Sequence, residues 1–113
     1  MKRIIFVLFL SVAVAAAAQT TPVKFAYLSD IHISEGATGR IANLKRCIAD
    51  INSQPDIQFT LFGGDITDFG ADREFTMTKA MFDELEHPYW LVAGNHDAKW
   101  SESLRPVPRA FSR

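Results

Sequence analysis

Residues 57–68 read Ile-Gln-Phe-Thr-Leu-Phe-Gly-Gly-Asp-Ile-Thr-Asp. The first six predict a short apolar strand over 57–62. Gly63 and Gly64 close it, and two carboxylates, Asp65 and Asp68, follow at once. Glycines at a strand end let the backbone turn tightly and leave room for an ion or a phosphate to approach. Taken alone, the same run is also an ordinary turn, because Gly and Asp favour turns.

The pattern repeats on both sides. Residues 23–29 predict a strand that runs into Ser29-Asp30-Ile31-His32, and residues 89–93 predict one that runs into Gly94-Asn95-His96-Asp97. Helices are predicted between the strands, over 40–53 and 72–86. Ile41, Leu44, Ile48 and Ile51 fall on one face of a 3.6-residue period, as do Phe75, Met81, Phe82 and Leu85. Pro55 and Pro88 stop the two helices, because the residue before a proline avoids helical angles. Asp72 and Glu74 suit the positive end of the second helix. Two strand–helix–strand units predict an α/β fold: a parallel sheet with helices packed on it. Ligands of such sheets bind beyond the carboxyl ends of the strands, so the three polar clusters should meet along one edge.

Each cluster carries usable chemistry. A carboxylate and an imidazole two positions apart in extended chain lie on one side of the backbone, so Asp30 and His32 should face one metal ion. A turn carboxylate beside a surface histidine reads equally well from that cluster alone. Asp65 has two oxygens and can bridge two cations, while Asp68 can orient a ligand from behind. Asn95 offers a neutral carbonyl oxygen. His96 can donate a proton or stabilise charge, and Asp97 can hold its ring. The bland alternative for this last cluster is a turn or helix cap.

Taken together, the runs Ser-Asp-Ile-His, Gly-Gly-Asp-Ile-Thr-Asp and Ala-Gly-Asn-His-Asp resemble the calcineurin-like metallophosphoesterase family over residues 23–99. The last run is similar to the cyclic-nucleotide phosphodiesterase branch. Purple acid phosphatases usually carry Tyr where Asp68 stands and lack a histidine at the place of His32. The resemblance implies a βαβαβ unit from the N-terminal part of a β-sandwich flanked by helices. It also implies a two-metal site with Asp30 and His32 on the first ion, Asp65 on both and Asn95 on the second. The catalytic support would come from His96, Asp97 and Asp68. Such a pair of cations, about 3.5–4 Å apart, activates hydroxide and clamps the phosphoryl oxygens. The mixed oxygen and nitrogen donors suit manganese, iron or zinc. The implied activity is hydrolysis of phosphate mono- or diesters, with a small-molecule phosphate ester as substrate.

Composition supports a globular chain: 48% of the 113 residues are hydrophobic and 22% are charged. Lys2 and Arg3 followed by an uncharged run over 4–18 read as an export signal over 1–18, cleaved between Ala18 and Gln19. That run is shorter than the roughly 20 residues a spanning helix needs. An uncleaved anchor is the alternative, and any membrane contact would come through this segment alone. The expected location is therefore periplasmic or secreted. The chain has 12 basic and 13 acidic residues, so losing Lys2 and Arg3 would bring the net charge near −3. An acidic surface does not suit nucleic acid. The lone Cys47 reads as a packed thiol, His87 as an unpaired surface residue, and Trp100 as either packing or a pocket wall.

The family pattern also requires later Gly-His and Gly-His-x-His segments, and none of the three histidines follows His96. Residues 104–113 are basic, contain two prolines and follow no helix or strand period. They read as an irregular, frameshifted tail behind a partial domain over 19–103. The expectation is a truncated and inactive fragment of an exported hydrolase. The alternative is a non-catalytic remnant or weak metal-binding module.

Overall fold

The structure, a computed structural model, describes residues 21–98. The expected export signal over 1–18, the tail over 104–113 and Trp100 lie outside the described residues. Three strands alternate with helices: β1 (Phe25–Leu28), α1 (Thr38–Asn52), β2 (Phe59–Phe62), α2 (Asp72–Phe82), β3 (Tyr89–Leu91) and a single turn, α3 (Asn95–Ala98). The sheet is parallel with β2 at its centre. Phe25 pairs with Phe59 and Leu28 with Phe62, while Thr60 pairs with Tyr89 and Phe62 with Leu91. No helix among the described residues is long and apolar enough to cross a membrane.

The apolar stripes of both helices cover one face of this sheet. Leu44 and Ile48 of α1 and Met81 and Phe82 of α2 share a core with Phe62, Ile33 and Ile66. Phe82 is fully buried and stacks on Phe62 with ring centroids 3.6 Å apart. Burying a ring of this size is worth about 1.5–3 kcal/mol. Right-handed crossovers between strands in the order 1-2-3 place both helices on the same side. Asn52, at the end of α1, ties the helices together. Its amide donates to the Glu84 carbonyl at 2.8 Å and accepts from the Glu86 N–H at 3.1 Å.

The two crossover helices start and stop for local reasons. The Glu74 carboxylate accepts the N–H groups of Phe69 at 3.0 Å and Ala71 at 3.2 Å, closing the start of α2. The helix ends at Phe82, earlier than the expected 86, yet Leu85 still packs against the core. The strands are shorter than their apolar runs. Val23, expected in β1, is mostly exposed. Two side-chain expectations are corrected. Cys47 is exposed, because it lies off the stripe formed by Leu44, Ile48 and Ile51. His87 is paired: its Nε2 lies 2.8 Å from the hydroxyl of buried Thr60.

Candidate metal centre

Beyond the ends of β1 and β2 the two loops run side by side. The N–H groups of Asp30, His32 and Ile33 donate to the carbonyls of Gly64, Asp65 and Ile66 at 2.9–3.1 Å. Asp68 returns a bond to the Ile33 carbonyl at 3.0 Å. This ladder fixes an unusual backbone. Asp30, His32 and Asp65 have φ of 55°, 50° and 49°, and they are the non-glycine residues with positive φ among those described. Asp and His tolerate this left-handed region better than most residues. It still costs of order 1–3 kcal/mol per residue and persists only where the surroundings over-determine it. The extended geometry expected for Asp30 and His32 is therefore corrected. The argument from a spacing of two in extended chain does not apply here, because each residue adopts a left-handed turn.

The strained loops bring three side chains together. His32, Asp65 and His96 each offer one donor atom, and these atoms all lie within 4.8 Å of one another. The two imidazoles meet edge to face with centroids 4.5 Å apart. His96 Nδ1 lies 2.8 Å from the Asp68 carbonyl. A carbonyl only accepts, so Nδ1 carries the hydrogen, which makes Nε2 the acceptor atom of the neutral ring. One oxygen of Asp65 accepts the His96 N–H at 2.9 Å. A methyl group at Gly94 would lie 2.2 Å from that oxygen, so glycine is required where the β3 loop meets Asp65.

His32 Nδ1 is buried without a hydrogen-bond partner. Its nearest charge is the Asp68 carboxylate at 3.6 Å, beyond hydrogen-bond range. A buried ring nitrogen left open in this way is rare in a finished site. Two imidazoles and a carboxylate of this kind fit a divalent transition metal, which takes mixed nitrogen and oxygen donors.

The remaining expected residues are placed differently. Asp97 is 6% exposed, and its carboxylate is fully engaged with backbone. It accepts the N–H of Ile66 at 3.2 Å, of Thr67 at 2.8 Å and of Gly94 at 2.9 Å, and the Thr67 hydroxyl at 2.7 Å. The expected grip of Asp97 on the His96 ring is thus corrected: the ring is held by the Asp68 carbonyl, and Asp97 clamps the β2 loop to the β3 loop. Asp30 is exposed, takes a 2.5 Å hydrogen bond from the Ser29 hydroxyl and stands outside the His32–Asp65–His96 group. Asn95 opens α3 and is exposed.

One participant was not foreseen. Arg40, in the first turn of α1, donates to the Asp68 carboxylate at 3.0 Å. A cation in the first turn of a helix opposes the helix dipole. That misplacement was a readable signal of a partner elsewhere.

The comparisons with known proteins agree with this geometry. The calcineurin-like phosphoesterase family profile matches residues 23–112. The chain is 34% identical over 79 residues to the "Probable glycerophosphodiester phosphodiesterase GpdQ" of Arcobacter nitrofigilis, covering 62% of this chain and 28% of that protein. It is 27% identical over 84 residues to the "Probable cyclic nucleotide phosphodiesterase" of Colwellia psychrerythraea, covering 67% of this chain and 32% of that protein. The chain thus spans about a third or less of the length of these relatives. A profile match over most of its length, with the matched motifs converging at the end of a βαβαβ sheet, shows that the chain belongs to the calcineurin-like phosphoesterase family.

Proposed function

We propose that this chain carries the first part of the metal site of an exported hydrolase of phosphate mono- or diesters. The observation that carries the reading is the convergence of His32, Asp65 and His96 on one point from three loops. In this reading His32 and Asp30 would hold one cation, the Asn95 carbonyl would hold a second, and Asp65 would be a ligand to both. Manganese, iron or zinc would supply the positive charge that polarises a phosphoryl group and lowers the pKa of water. The chain's own residues orient that chemistry. Asp65 keeps one oxygen on the His96 N–H and has the other for a ligand. His96 is steered through Nδ1, so its Nε2 would face either a cation or the departing oxygen. Both relatives are named as probable phosphodiesterases, which favours a small-molecule diester. The basic start and apolar run over 1–18 support export to the periplasm or medium.

A second reading is a metal-binding module without turnover. It is favoured by the donor group itself, which among the described residues holds two histidines and one carboxylate, His87 being engaged with Thr60. Catalytic sites use three or more protein ligands per transition metal. Hydrolysis of bis-p-nitrophenyl phosphate with manganese separates the two. The first reading expects manganese-dependent turnover from a version extended by the later histidine segments, abolished by Asp65→Ala. Equal turnover by both proteins would sink it, and metal binding without turnover would select the second.

A further inference from the structure

We propose that Arg40 is a positioning residue for both imidazoles of the candidate metal centre, acting through Asp68. The inference rests on the metal-site reading above, and its test can fail separately. The Arg40 guanidinium donates to one Asp68 oxygen at 3.0 Å. The other Asp68 oxygen lies 3.6 Å from His32 Nδ1 and 4.0 Å from His96 Nδ1. The Asp68 carbonyl accepts the His96 Nδ1 hydrogen at 2.8 Å. One residue thus faces both rings, with its carboxylate anchored from α1. Ligating histidines almost always give their other ring N–H to a carboxylate or carbonyl, which fixes the tautomer and the ring orientation. A movement of about 0.4 Å would bring His32 Nδ1 within hydrogen-bond range of Asp68.

The alternative is that Arg40 and Asp68 form an ordinary surface ion pair. Arg40 is 46% exposed and Asp68 22%. Exposed pairs contribute about 0–1 kcal/mol to stability. A guanidinium in the first turn of α1 also works against the helix dipole. Stability alone therefore explains this placement poorly, and orientation of the rings explains it well.

The test uses ¹⁵N NMR of the histidine rings in the metal-free chain at alkaline pH. The wild-type protein should show His32 and His96 in the Nδ1–H tautomer. Arg40→Ala should move the His32 signals toward the mixture of tautomers seen for free imidazole, with an unchanged melting temperature. Arg40→Lys should restore part of the wild-type pattern. Manganese affinity of Arg40→Ala should fall about tenfold, the usual effect of losing such a supporting contact. His32 and His96 signals identical in Arg40→Ala and wild type would overturn the inference, whatever the metal affinity. Should manganese fail to bind the wild-type chain, the metal reading falls, and the tautomer comparison still decides the role of Arg40.

Discussion

Asp97 is a buried charge whose cost is offset by four donors from two loops. Asn at this position would keep the shape but turn an amide hydrogen toward backbone N–H groups that need an acceptor. Hydrogen bonds to a charged group contribute about 1.5–3 kcal/mol each, so Asp97→Asn should lower unfolding stability by about 2–4 kcal/mol. Urea unfolding measures this, and a loss under about 0.5 kcal/mol would contradict the clamp. At this scale the sequence revealed which residues matter but not how they stand. Asp30, His32 and Asp65 were recognisable as donors from their types and places after strands. Their left-handed backbone was not, because Asp and His also occupy ordinary turns. The role of Asp97 was hidden for a similar reason. A carboxylate beside a histidine suggests an ion pair, and only the fold shows that nearer backbone donors win.

At the scale of elements, β1 and β2 are coupled before they pair. Lys24 donates to Asp56 at 2.8 Å across the start of the two strands. The Lys24 hydrogen bond holds the Asp56 carboxyl below its ordinary value of 3.8. A carboxylate depressed in the folded state stabilises it above the ordinary carboxylate range. That contribution is lost as pH falls through the lowered value. Lys24→Gln should therefore leave a melting curve less sensitive to acid below about pH 4, with a small change near neutrality because the pair is exposed. An unchanged acid dependence would show that the pair does not couple to folding. The helices were legible here because 3.6-residue periodicity extends over whole elements. The strand ends were not, because ladder pairing, not apolarity, decides where a strand begins. The single turn α3 carries no periodicity to read. It forms where Gly94, Asn95, His96 and Asp97 are pulled onto the β2 loop.

At the scale of the whole molecule, the helices among the described residues cover one face of the sheet and leave the other exposed. Phe25, Tyr27 and Trp90 lie on that open face, with Phe25 stacked on Phe59 at 5.2 Å. The same organisation places the three strand ends together, so residues distant in sequence form one donor group. That convergence is the central claim, and calorimetric titration with manganese tests it most directly. Asp65→Asn is the control, because its amide oxygen can keep the His96 N–H bond while the charge is lost. Saturable binding by the wild-type chain, abolished in Asp65→Asn at an unchanged melting temperature, is the predicted result. Wild-type heats indistinguishable from dilution, or equal binding by the variant, would contradict it.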